Sequence, residues 1–192
     1  MVGVFPYWEW GLDCNNMLVS PVFDGSEYSI GSNGDPSRTG ATGGGCLKKG
    51  TPFANFTVNI GPMGAANPLK YNPRCIKRDL STAVCKSGAS FQKTTNAILI
   101  SKDIKTFQAV VQGEVVSGVK QVDVGMGVHS GGHYSIAGDP GSDTYFSPLE
   151  PGFYLHHGNI DRMHFIWQNL DWDNRQVCSP KPIYLDYSRL PR

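Results

Sequence analysis

His129-Ser-Gly-Gly-His133 and the pair His156-His157 carry four of the five histidines in the chain, and His164 is the fifth. None occurs before residue 129. Histidine is the commonest side-chain metal ligand, so a cluster this tight reads as a metal site. On a helix, His129 and His133 stand one turn apart on one side, where both imidazoles can reach a single ion. One of His156 or His157, on a second helix, can supply a third nitrogen. Neighbouring residues of a helix point about 100° apart. One of the pair is therefore expected to bind, and the other to support it or face a substrate. Three neutral imidazoles with an open position suit copper or zinc, since no thiolate or carboxylate joins the set. Two histidines four residues apart are weak evidence alone; convergence with a second amphipathic helix is what favours the metal. His164 reads instead as a core or edge histidine with a bonded ring. Asp161, four residues after His157, either orients an imidazole or pairs with Arg162 or a loop arginine.

These side chains need two helices to hold them. The first carries His129 and His133, with Gly131 and Gly132 between them. Each glycine weakens a helix by about 1 kcal/mol relative to alanine, so close approach of another chain segment is the expected reason for both. The second runs from about Pro151 to about Leu170, with Phe153, His157, Ile160, His164 and Trp167 as its expected inward stripe. A third helix is expected after Ser101, capped by Ser101 or Asp103. Ile104, Phe107, Val110 and Val111 lie on its buried face and Gly113 ends it. Residues 1–75 are dominated by turn signals such as Gly31-Ser-Asn-Gly-Asp-Pro36, with a short turn near Tyr7–Trp10 and a short strand or extended segment within Phe53–Ile60. Residues 175–192 read as irregular.

Composition narrows the class. The 192 residues fit one domain, and 40% hydrophobic content supports a folded core. The 23 glycines and 13 prolines imply a loop-rich body. Lys plus Arg (17) nearly cancels Asp plus Glu (16), so no basic field argues for a nucleic acid, and a neutral substrate is expected. Met1-Val-Gly-Val-Phe-Pro-Tyr-Trp8 lacks a basic segment followed by an apolar one, so no signal peptide is expected on this chain. No apolar run is long enough to span a membrane. Cys14, Cys46, Cys75, Cys85 and Cys178 show no C-x-x-C pair and allow up to two disulfides with one thiol over. Asn55-Phe-Thr57 is a glycosylation sequon, with meaning only on the secretory route.

The motif His129-x-Gly-Gly-His133 is followed by Gly138-Asp-Pro-Gly-Ser-Asp143, Ser147-Pro148 and Phe153-Tyr-Leu-His-His-Gly-Asn-Ile-Asp-Arg162. This order resembles the second-copper region of tyrosinases and catechol oxidases, nearest in kind to short fungal tyrosinase-like proteins. Pro6-Tyr-Trp-Glu-Trp10, Ser20-Pro-Val-Phe-Asp-Gly25, Gly43-Gly-Gly-Cys46, Pro52-Phe53 and Tyr71-Asn-Pro-Arg-Cys75 are similar to further landmarks of that family, in family order.

The resemblance implies a mainly α fold with extensive loops: half of the family's central four-helix bundle, in one truncated copper-binding domain over residues 1–192. It implies a centre of two coppers, each held by three histidines, that binds dioxygen, hydroxylates phenols and oxidises catechols to quinones. His129, His133 and His157 would hold the second copper. Phe153 would sit near substrate entry, His156 beside the ligands, and Asp161 would be structural. Ser130 stands where many tyrosinases carry an asparagine that helps activate the phenol, and His164 replaces a usual tryptophan.

The family's first-copper segment is expected to be missing, because Pro6-Tyr-Trp8, which follows that segment in relatives, opens this chain. The C-terminus also stops where relatives continue. The expected partners are a small phenolic substrate, dioxygen and a partner chain supplying the first-copper site, with no nucleic acid and no membrane. Little phenol oxidase activity is expected of the chain alone, since one copper delivers one electron. The competing readings are a non-catalytic remnant that binds one copper or a phenolic ligand, and a three-histidine zinc hydrolase.

Overall fold

A computed structural model describes residues 5–115, 117–118 and 125–175. Its regular elements are mainly helical. They are α1 (Trp10–Asp13), α2 (Thr82–Gly88), α3 (Phe91–Ile100), α4 (Ile104–Gln112), α5 (Val128–Ile136), α6 (Gly152–Asn169) and α7 (Trp172–Arg175). Two antiparallel two-stranded ribbons complete the set. β1 (Gly34–Pro36) pairs with β2 (Gly44–Leu47), and β3 (Thr57–Val58) pairs with β4 (Arg74–Cys75). The mainly α, loop-rich class expected from the sequence is the class observed.

Helix α4 follows from its sequence. The Asp103 carboxylate accepts from the Thr106 amide at the N-cap, Phe107, Val110 and Val111 are buried, and Gly113 ends the helix at φ 85°. Within residues 53–60 the expected short strand is Thr57–Val58, and residues 53–55 before it form a turn. Residues 82–100 hold α2 and α3, which the hydrophobic pattern did not announce.

The principal core joins Trp8, Trp10, Met17 and Phe23 to Cys85, Phe107, Val111, Ile136, Met163 and Trp167. The N-terminal segment thus packs under the helices, and the Trp8 amide donates to the Leu155 carbonyl of α6 at 2.9 Å. Two glycines explain how α2 meets α5. A Cβ on Gly131 would stand 2.6 Å from the Gly88 carbonyl carbon, so the helices cross backbone against backbone. The close approach expected of the Gly131-Gly132 pair is present.

The loop half is tied to the helices through charged groups. Arg78, fully buried, donates to the Ser32 carbonyl at 2.8 Å and the Ile30 carbonyl at 3.2 Å, and pairs with Glu150. The same Glu150 oxygen accepts the Gly152 amide at 3.0 Å, at the first turn of α6. Arg74 grips Asp139 in a two-point ion pair of 2.6 and 2.9 Å. Cys46 and Cys75 form a disulfide across the ribbons. Cys14 and Cys85 are buried thiols, and burial pushes the Cys85 thiol up to about 12. Cys178 lies outside the described residues. No helix among the described residues is long and apolar enough to cross a membrane.

Candidate metal centre

Helices α5 and α6 carry the cluster on facing surfaces. His129, His133, His156 and His157 each offer a ring nitrogen, and these atoms lie within 4.8 Å of one another. The separation of His133 Nε2 from His129 Nε2 is 3.2 Å, and from His157 Nε2 it is 3.3 Å. The spacing carries a physical meaning. Nitrogens bound at 2.0–2.1 Å to a tetrahedral ion stand about 3.3 Å apart. Without an ion, a protonated His133 Nε2 can donate to one neighbour only and has no in-plane lone pair with which to accept from the other. The two short contacts are therefore not both met by its single proton.

Burial keeps the imidazoles neutral, which is the ligating form. It pulls His133 down to about 4, with His129 and His157 adding to the effect. Burial also lowers His129 and His157, and takes His156 well below the usual histidine range. A set of neutral imidazoles with converging Nε2 atoms fits a first-row ion such as copper.

His156 and His157 play unlike parts. His157 is half-buried and its ring stacks on Phe153 at 4.1 Å between centroids. His156 is fully buried, and neither of its nitrogens has a hydrogen-bond partner among the described residues. Its ring lies parallel to that of His129 at 5.6 Å, with Trp10 at 5.3 Å on another side. A substrate-facing role for His156 does not agree with this placement, because no solvent-accessible surface remains on it. Gly132 makes the room: any Cβ there would collide with Cε1 and Nδ1 of the His156 ring.

Of the expected inward stripe of α6, Trp167 is buried as expected, while the other four positions are offset by one residue. Gly152, His156, Asn159, Met163 and Trp167 are the buried residues, while Phe153, His157, Ile160 and His164 are half-buried. The physical reason is a cavity of about 380 Å³ between α4 and α6, which His157, Ile160 and His164 line together with Phe107 and Val111. His164 lies outside the cluster, and its ring stacks on Trp167 at 5.9 Å and tilts against Phe107 at 5.7 Å, with no hydrogen bond of its ring among the described residues. Asp161 is exposed on the rim of that cavity and makes no hydrogen bond or ion pair among the described residues. Arg162 pairs with Glu9 at 2.8 Å, so neither role weighed for Asp161 is realised.

Ser130 lines a second cavity, of about 200 Å³, beside His129, His133, Tyr134 and Ser147. Gln112 touches both cavities, and its Oε1 accepts from His129 Nδ1 at 2.7 Å. Sequence reasoning missed Gln112. Nothing in a glutamine at the end of a helix marks it as a neighbour of a histidine 17 residues on.

Helices that present converging imidazoles, beside a loop-rich half stapled by the Cys46–Cys75 disulfide, make up a candidate metal domain of the tyrosinase type. Known proteins agree. The family profile described as the common central domain of tyrosinase matches residues 2–170. The chain belongs to the tyrosinase family. It is 34% identical to "Oxidase hkm6" of Aspergillus hancockii, covering 86% of this chain and 64% of that protein. Against "Tyrosinase P" of Aspergillus terreus it is 32% identical, over 88% of this chain and 52% of the relative. A solved structure of a mutant polyphenol oxidase from Thermothelomyces thermophila superposes with a TM-score of 0.74 at 34% identity. That match covers 88% of this chain and 48% of the other. The chain therefore spans about half to two thirds of the length of the relatives it matches. It is a fungal tyrosinase-like protein.

Proposed function

We propose that this chain is the second-copper half of a tyrosinase-like oxidase acting on small phenols or catechols with dioxygen, within pigment or secondary-metabolite chemistry. The observation that carries the reading is the convergence of three Nε2 atoms, with neighbour separations of 3.2 and 3.3 Å, from two helices. His129, His133 and His157 are the proposed ligands. Copper, when bound, supplies one-electron redox chemistry and a site for dioxygen. The chain's own residues do the rest. Phe153 stacks on His157 and holds that imidazole upright. Ser130 sets a hydroxyl in the cavity beside His129, where a phenol oxygen could be received. His156 fills the space behind the ligands and keeps water out. The continuous core from Trp8 to Trp167 supports treating the chain as a single domain.

Two-electron oxidation of a catechol needs a second copper. Four of the chain's five histidines are already in one cluster. The second set of ligands would come from a longer product or a partner chain. The same count favours one rival reading, a non-catalytic protein that binds a single copper or a phenolic ligand.

Metal analysis of the copper-loaded chain, paired with oxygen uptake on catechol, tests both readings. One copper per chain, lost in His129→Ala, His133→Ala and His157→Ala and kept in His164→Ala, is the expected result. Turnover should be close to background for the chain alone and should rise when the complementary half is supplied. No copper at all, or retention of copper by all three alanine variants, overturns the ligand assignment. Retained single-copper binding with no rescue by the complementary half supports the rival.

A further inference from the structure

The hydrogen bond between His129 and Gln112 deserves a function of its own. Helix α4 is amphipathic and buries Phe107, Val110 and Val111, leaving Gln112 exposed at its last position. Exposed glutamines ordinarily wander, since the side chain carries considerable rotamer entropy. Here the backbone beneath it is clamped. Gly113 turns the chain at φ 85°, and Gly127, at φ 74°, lies directly against it. A Cβ on Gly127 would stand 2.6 Å from the Gln112 carbonyl carbon, and one on Gly113 would stand 2.8 Å from the Gly127 nitrogen. Two side-chain-free residues thus press the end of α4 onto the start of α5. That contact fixes the distance between residue 112 and residue 129.

The chemistry of the pair is one-directional. A glutamine Oε1 only accepts, so the proton must reside on His129 Nδ1. His129 Nε2 is then the bare lone pair, and it is the atom that stands 3.2 Å from His133 Nε2. The 2.7 Å contact thus decides which ring nitrogen carries a proton. Unlike a carboxylate in the same place, an amide sets the tautomer without adding negative charge to the metal site.

We propose that Gln112 is a positioning residue for the metal centre: it fixes the Nδ1–H tautomer and ring orientation of His129, held in reach by the Gly113–Gly127 backbone contact. The proposal rests on the reading of His129, His133 and His157 as copper ligands.

The test is a chelator-competition titration of copper into the full chain, with pulsed electron paramagnetic resonance on the Cu(II) form. The remote ring nitrogen of a bound imidazole is visible there and responds to its own hydrogen bond. Gln112→Met keeps the length and shape and removes the acceptor; Gln112→Glu restores an acceptor. Gln112→Met should weaken copper binding by roughly 10- to 100-fold and shift the remote-nitrogen signal. Gln112→Glu should recover most of the affinity. Metal-free melting temperatures should stay together for all three forms, because residue 112 is exposed. Wild-type copper binding with unchanged affinity and spectrum in Gln112→Met overturns the proposal while the ligand assignment stands. Wild type that binds no better than His133→Ala removes both. A Gln112→Met variant that fails to fold, with Gln112→Glu failing alike, shows the residue to be a stability element and also overturns the proposal.

Discussion

The loop half, residues 5–81, and the helical half around α5 and α6 arrange their polar groups differently. In the loop half, side chains close onto backbone and onto each other. Arg74 meets Asp139 and the Ile60 and Gly61 carbonyls, Asn33 meets the Thr42 carbonyl and the Leu80 amide, and Asp13 takes both Trp8 Nε1 and Ser20 Oγ. At the junction of α5 and α6, four imidazoles face one another and both nitrogens of His156 go without a partner. Unmet buried polar groups cost free energy. Single unmet atoms occur in the loop half as well, at Glu9 Oε1, Trp10 Nε1 and Arg78 Nε. Among the described residues it is the convergence of ring nitrogens from His129, His133 and His157 that sets the α5–α6 junction apart and suits it to a metal.

Perturbations of the two halves should differ in kind. The largest expected effect is on the seam between them. Arg78→Met leaves Glu150 as an uncompensated buried charge, which costs about 3–5 kcal/mol; urea unfolding should show a midpoint lowered to match, and a change below 1 kcal/mol would mean water reaches the pair. Next comes the cross-link. Cys46→Ser with Cys75→Ser opens a loop of 29-residue separation, worth about 3–4 kcal/mol on chain-entropy grounds. Thermal melts should fall, while copper affinity per folded molecule stays the same. The helical half should respond to metal. Copper at a hundredfold excess over its Kd should add about 2.7 kcal/mol of stability, and His157→Ala should abolish that gain. Smallest is Gly132→Ala. Helix propensity favours it by about 1 kcal/mol, yet the collision with His156 costs about 1–3 kcal/mol. A net loss near 1 kcal/mol with altered copper binding is expected, and a net gain would show that His156 moves freely.

The two halves were also unequally legible in the sequence. Helix α4 could be read in full, because Asp103, the apolar face and Gly113 are local signals that the structure uses locally. The extent of α6 was similarly plain, but its rotation was not. A stripe one residue to the side has nearly the same periodicity, and only the cavity shared with α4 decides which line of side chains lies deepest. Helices α2 and α3 went unread since their buried positions are Cys85, Gly88, Thr94, Ala97 and Ile98, a weak apolar face for 17 residues of helix. The ribbons, the Cys46–Cys75 pairing and the Arg78–Glu150 contact join residues far apart in sequence. Five spaced cysteines permit many pairings, and turn-rich segments carry no period to follow. At the candidate centre, the gathering of histidines was visible from spacing. The seclusion of His156, the idleness of Asp161 and the reach of Gln112 were set by tertiary packing.

One carboxylate oxygen of Glu150 serves both the Arg78 guanidinium and the amide of Gly152. The opening turn of a long helix normally frays, so its amides trade protons with water quickly. Here the Gly152 amide is tied to the most deeply buried cation of the loop half. Its deuterium uptake should therefore track whole-molecule opening, and the turn that carries His156 and His157 should be among the last parts of α6 to become labelled.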